Sequence, residues 1–348
     1  MSSAQYAICV LPGDGIGPEV IGCAQEVLQA LHSTIDGPRF TFDHRPAGCD
    51  AYNETGDSLP SETVEAAKAA DSVMLGAMDV ARLPPTAIQP LRAMRRHLDV
   101  GASVRPARSY PGVPIPAGEI DVVVVREVTE GIYSGIEYPV GKDGACSVRV
   151  ITRDASTRTA KIAFEQASRR RKKVTAIHKL GALKLTDSLF LESVADVAAS
   201  FPDIEYETKN VDACALELVR WPEEFDVILS TNAFGDILSD VAAGLAGGLG
   251  IAPSGCVGEN WAYFEPVHGT APDIAGKGIA NPIASILSAA LMLRHIGEPE
   301  AGEQIERAVS RALASEELRT GDLGGSATST QITEGIIGFL GEASAVGD

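Results

Sequence analysis

The chain has 348 residues, 45% of them apolar, with 47 acidic against 29 basic side chains and a formal net charge of −18. That length buries one large core or two moderate ones, and the composition is that of a folded globular protein. The charge argues against a nucleic-acid partner, whose phosphates it would repel, and no apolar run is long enough for a bilayer, so no membrane partner is expected.

The opening MSSAQYAICVLPGDG has no basic segment ahead of its short apolar run, so no secretory signal is expected. Cys9, Cys23, Cys49, Cys146, Cys214 and Cys256 form no CxxC pair and have no His at ligand spacing. Reduced thiols and a cytoplasmic setting follow. Tyr6 to Leu11 reads as a strand feeding Gly13, Gly15 and Gly17, with a helix from near Pro18. The spacing is G-x-G-x-G, not the dinucleotide fingerprint G-x-G-x-x-G, and no phosphate-loop Lys-Ser/Thr follows. The stretch alone leaves open whether it binds pyrophosphate or only turns the chain.

SETVEAAKAA reads as a helix with Ser61 as N-cap and Glu62 and Glu65 favouring the first-turn dipole. DSVMLGA, IDVVVVRE, KVTAIH and FDVILS, like AICVL before them, read as short apolar strands buried in a sheet with parallel segments. STRTAKIAFEQASRR reads as a helix capped by Ser156, and the basic run SRRRKK at its end as a solvated complement to the dipole. ARSYPGVPIPAGE is a loop. Alternating strands and helices make the class α/β.

Three stretches carry chemistry. PLRAMRRHLDVGASVRP holds Arg92, Arg95, Arg96 and Arg105, and Arg126 ends a very apolar strand. A guanidinium buried there must find an anion, whereas Arg96 reads as an ordinary surface residue and Arg92 reads equally as a surface residue or a ligand for an anion. In NAFGDILSD, Asp236 and Asp240 stand four apart on one helix face, which suits Mg2+ or Mn2+, although such a pair also serves a helix dipole. Asp212 in NVDACALEL is a weaker third candidate. FEPVHGTAPDIAGKGIANP, from Phe264 to Pro282, is a long loop of the kind that binds ligands. Arginines beside aspartates suggest a polyanionic small acid clamped next to a divalent metal.

LPGDGIGPE, VREVTEGIY, GDILSD and the Phe264–Pro282 loop, in that order, resemble the β-decarboxylating dehydrogenases that act on isocitrate, 3-isopropylmalate, homoisocitrate and tartrate. The likeness runs from about Ala7 to Ser326. It implies a two-lobed fold with mixed sheets, not a Rossmann fold. Residues 1–98 with 247–348 would form the larger nucleotide-side lobe, and 99–246 the smaller substrate and dimerisation lobe. The active site would lie in the cleft, shared with the second subunit of a homodimer, and the glycine turn would be structural.

By the same resemblance, Arg95, Arg105 and Arg126 hold the malate carboxylates, Asp236 and Asp240 bind Mg2+ or Mn2+, and Asp212 reaches in from the partner. Tyr133 and Lys179 form the acid–base pair. NAD binds along the long loop: Glu265 near the nicotinamide, His268, Gly269 and Asn281 at the adenine pocket, with Thr270 and Ala271 beside them. Asp273 stands where an acid meets the ribose hydroxyls and repels the extra phosphate of NADP. Arg92, three before Arg95, faces the variable substituent at C3, and LRAMRR is closest to the homoisocitrate pattern. The expected reaction is oxidative decarboxylation of a 3-substituted malate bearing an anionic group, a phosphonomethyl group included. 3-Isopropylmalate and tartrate or malate are the alternatives, and a non-catalytic regulatory subunit is the alternative of another class. VGAS, HKLG and GAMDV depart from the usual family patterns, and Gly101, Ser103 and Gly181 are read as opening space or removing contacts near the substrate or nicotinamide.

Overall fold

The apolar runs do become neighbouring strands, but the sheet they build is mixed. The computed structural model describes residues 4–116 and 118–342. The first third runs β1 (Gln5–Leu11), α1 (Gly17–Ile35), β2 (Arg39–His44), α2 (Cys49–Thr55), α3 (Ser61–Ala69), β3 (Ser72–Leu75), α4 (Pro90–His97) and β4 (Val100–Arg108). The middle runs β5 (Asp121–Glu127), an exposed hairpin β6 (Glu137–Val140) and β7 (Gly144–Ser147), α5 (Arg153–Ser168), β8 (Lys173–His178), α6 (Lys184–Ala198), β9 (Glu205–Asn210) and α7 (Val211–Arg220). Last come β10 (Val227–Ser230), α8 (Asn232–Ala246), β11 (Pro253–Gly258), β12 (Ala262–Pro266), α9 (Ile283–His295), α10 (Pro299–Ala314) and α11 (Ser329–Phe339).

Ten strands form one sheet in the order β2-β1-β3-β12-β11-β4-β5-β10-β8-β9. Both flanks are parallel, while β12-β11, β11-β4 and β4-β5 are antiparallel. That seam is incompatible with an all-parallel dinucleotide fold, as the sequence led one to expect. It also sets the site. Ser103 of β4 lies opposite Arg126 of β5 and opposite Cys256 of β11, and Cys256 in turn lies opposite Tyr263 of β12. Strand alternation then puts Ser103, Arg105 and Arg126 on one face.

Apolar clusters cover the sheet on both flanks. Leu28, Ile286, Leu293, Ile305 and Val309 of the helices pack on Ile8, Val10, Met74 and Phe264. Phe164, Phe190 and Val194 pack on Val104, Val125, Val174 and Leu229. Each such fully buried side chain contributes about 2 kcal/mol. No helix among the described residues is long and apolar enough to cross a membrane.

Three local expectations are corrected. Ser61 begins α3 but does not cap it: Pro60 holds the cap position, its carbonyl accepting from Thr63 N–H at 3.0 Å. Thr152, not Ser156, caps α5 by accepting from Ala155 N–H, and Ser156 instead donates to the Thr152 carbonyl at 2.7 Å. The basic run is not merely solvated. Arg170 pairs at 2.8 Å with the buried Asp226, a carboxylate that needs a counter-charge.

The glycine turn is structural. Gly13 and Gly15 are left-handed, and a Cβ on Gly15 would collide with the Thr270 carbonyl, which accepts from Ile16 N–H at 2.9 Å. Between them the buried Asp14 carboxylate accepts from the backbone N–H groups of Cys49, Asp50 and Asp79 at 2.7–2.9 Å. The turn thereby fixes α2 and the stretch after β3, and backs the long loop.

Candidate active site

Arg126 is 2% exposed at the end of β5, so its charge must be met inside the protein. Asn232, the first residue of α8, meets half of it: its side-chain oxygen accepts from Nε at 3.0 Å and from Nη2 at 2.7 Å. Asp236, one turn on, pairs with Nη1. Arg105 reaches the same Asp236 oxygen at 3.2 Å, Asp240 at 3.8 Å and the Ser239 hydroxyl at 2.8 Å. Tyr133 donates to the other Asp236 oxygen at 2.7 Å, and the Arg126 guanidinium lies over its ring, 5.2 Å from the centroid.

The charges shape one another. Burial, then the neighbouring Arg105, pulls Arg126 down to about 10, against the opposing pull of Asp236. Burial pushes Asp236 up, but Arg126, the Tyr133 bond and Arg105 outweigh it and hold the carboxyl below its ordinary range. Asp240, less well paired, is raised by burial and by Asp236. Burial and the bond to Asp236 raise Tyr133, so it keeps its proton near neutrality and can serve as a proton donor.

Arg95 enters from the last turn of α4. Its Nε donates to the Tyr263 hydroxyl at 3.0 Å, and its Nη2 lies 4.0 Å from the buried Glu265. Burial raises the Glu265 carboxyl, with Arg95 opposing. Arg92, one turn earlier, lays its guanidinium against the backbone of Gly135, a left-handed glycine in the Tyr133 loop where a Cβ would collide with it. Among the described residues Arg92 has no ion pair or hydrogen bond. Its side chain is half-buried.

Lys179 and Asp212 stand apart from this cage. They pair with each other at 2.5 Å, and the bond from Lys179 lowers Asp212. No hydrogen bond or ion pair among the described residues joins either of them to Tyr133, Asp236 or Asp240. The Lys179 backbone N–H donates to the buried Asp187 at 2.6 Å, and Asp187 is paired with Arg149 at 2.8 Å.

Among the described residues no three His, Cys, Asp or Glu converge as a metal-holding group. Asp236 and Asp240 nevertheless fit a small hard cation, because Mg2+ and Mn2+ accept one or two carboxylates and complete their shell with water and substrate oxygens.

In the long loop, the His268 Nδ1 lies 2.9 Å from the Gly269 carbonyl, and Nε2 is buried without a partner among the described residues. Burial lowers His268, which favours the neutral imidazole. Gly269 and Asp273 are exposed, and Ala271 is left-handed. Asn281 donates to Asp322 and accepts from Ile283 N–H, both at 3.0 Å, so its amide holds the start of α9.

Two readings of extra room near the substrate are corrected. Ser103 is fully buried, 2.9 Å from the Ser254 hydroxyl, and accepts from Arg105 Nε at 3.2 Å. Gly101 faces α5, where a Cβ would rest 3.5 Å from Arg158. Gly181 alone borders open space. The sequence reading missed Asn232, Ser239 and Tyr263. Asn232 and Ser239 left a signal, four residues before and three after Asp236 and hence on the same helix face, whereas Tyr263 left none.

A family model described as isocitrate/isopropylmalate dehydrogenase matches residues 7–336. A 3-isopropylmalate dehydrogenase of Archaeoglobus fulgidus is 46% identical over 334 residues, covering 96% of this chain and 99% of that one. An isocitrate/homoisocitrate dehydrogenase of Thermus thermophilus is 47% identical over 337 residues, covering 96% of this chain and 98% of that one. The crystal structure of isocitrate dehydrogenase from Methylococcus capsulatus superposes with a TM-score of 0.91 at 40% identity, covering 97% of this chain and all of that one.

Proposed function

The chain belongs to the isocitrate/isopropylmalate dehydrogenase family, as a NAD-dependent enzyme using Mg2+ or Mn2+, and from that premise we propose that it decarboxylates a 3-substituted malate carrying an anionic group. The observation that carries the choice of substrate is Arg92, a half-buried guanidinium without an ion pair among the described residues, one turn from Arg95. Arg95, Arg105 and Arg126 take the malate carboxylates. Lys179, contributed by a second copy, accepts the C2 hydroxyl proton as hydride leaves C2. Once CO2 has left C3, Tyr133 supplies the proton that replaces it. When bound, the cation stabilises negative charge on the substrate oxygens and the nicotinamide accepts the hydride.

A homodimer with shared sites completes this reading. The exposed Lys179–Asp212 pair supports it, with exposed Leu216 and Ile237 on α7 and α8 and Tyr138 and Val140 on the hairpin. The lobes are then residues 1–98 with 247–348, and 99–246. Six free thiols, five of them buried, favour a cytoplasmic setting. A screen of isocitrate, homoisocitrate, phosphonomethylmalate and 3-isopropylmalate with NAD tests the assignment. Fastest turnover of 3-isopropylmalate overturns it.

The cofactor has its own test. Asp273 is exposed on the loop, where its carboxylate would oppose a ribose phosphate. Asp273→Lys is expected to shift the kcat/KM ratio toward NADP by roughly tenfold or more. Steady-state kinetics with both cofactors decide it. An unmoved ratio removes Asp273 from the adenosine site.

A further inference from the structure

Tyr263 is completely buried in β12, although a phenol there needs a polar partner. Its ring packs in the apolar cluster with Leu75, Met94 and Val100. Its hydroxyl accepts from Arg95 Nε at 3.0 Å, the shortest hydrogen bond of Arg95 among the described residues. The other contacts are loose: Nη1 to the Val128 carbonyl at 3.5 Å and Nη2 to Glu265 at 4.0 Å. A guanidinium held by Nε alone can still present both terminal nitrogens to a carboxylate in the bidentate geometry.

We infer that Tyr263 is a positioning residue for Arg95, its buried hydroxyl fixing the guanidinium plane so that Nη1 and Nη2 face the substrate carboxylate. The inference rests on the proposed role of Arg95 as a carboxylate ligand. The packing explains why a tyrosine can do this: the ring is locked by the core, so the hydroxyl has one place to be. The long Arg95 side chain otherwise spends rotamer freedom on every binding event.

Tyr263→Phe removes only the hydroxyl and keeps the ring. With whichever of isocitrate, homoisocitrate or 3-isopropylmalate the wild type turns over fastest, KM for the hydroxy acid is expected to rise roughly tenfold. KM for NAD should stay within about twofold. In an Arg95→Ala background the same change should leave the substrate KM unmoved. In arginine-labelled protein, Tyr263→Phe should shift the Arg95 Nε–H resonance and speed its exchange with water. An unshifted resonance, a substrate KM that Tyr263→Phe leaves unchanged although Arg95→Ala raises it, or an equal rise in both backgrounds overturns the inference. If Arg95→Ala itself leaves the substrate KM unchanged while the resonance still moves with Tyr263→Phe, the functional reading of Arg95 fails and its positioning by Tyr263 stands.

Discussion

Asp240→Asn is expected to lower kcat/KM by roughly three decades at limiting Mg2+, the several kcal/mol that a divalent cation supplies to such a reaction. The substitution is close to isosteric and exchanges a hard anionic ligand for a neutral one. Asp240 is the cleaner target because its side chain is 54% exposed and its nearest cation, Arg105, stands 3.8 Å away. Folding should barely notice the change. Asp236→Asn should abolish turnover too, with a penalty in stability of about 3 kcal/mol, because it withdraws the counter-charge of the buried Arg126. Metal-titrated kinetics with thermal unfolding of both variants separate the two effects. Near-native rates for both at low Mg2+ would remove these aspartates from the metal site.

Their difference in burial was not visible in GDILSD, although their shared helix face was. Much of the fold was legible for a similar local reason: strands such as VVVV and VILS are apolar on both faces, so their burial needs no knowledge of neighbours. Arg126 could be singled out because a charge ending such a strand must be paired whatever surrounds it. What escaped depends on contacts between distant segments. Ser103 looked like a gap near the substrate, yet its partner Ser254 lies 151 residues away, joined only by the β4-β11 pairing. Tyr263 carried no mark in the sequence, just ahead of the Phe264–Pro282 stretch, because its role depends on α4 bringing Arg95 to its hydroxyl. The caps failed differently: Ser61 and Ser156 have the right chemistry, but Pro60 and Thr152 have the extended backbone of a cap.

Arg92→Leu is expected to invert the substrate ranking. In the wild type, an apolar C3 substituent would press against the guanidinium and strip its water without supplying a counter-charge. Arg92 has no internal partner to fall back on among the described residues, in contrast to Arg126 with Asn232 and Asp236. Leaving such a charge unpaired costs about 3 kcal/mol, roughly two decades in kcat/KM against 3-isopropylmalate. Leucine removes that penalty and supplies apolar contact, while an anionic substituent loses the cation proposed to meet it. Neighbouring Arg95 cannot replace it, because Tyr263 holds its Nε one turn further on. Size contributes less than charge, since Ser103 is sealed in the sheet and Gly101 faces α5. A phosphonate therefore has no built-in advantage of room over a carboxylate from those two positions. Parallel kinetics on isocitrate, homoisocitrate, phosphonomethylmalate and 3-isopropylmalate, with wild type and Arg92→Leu, read the ranking directly. A wild type that prefers 3-isopropylmalate, or a ranking that Arg92→Leu leaves in place, means that Arg92 does not read the substituent.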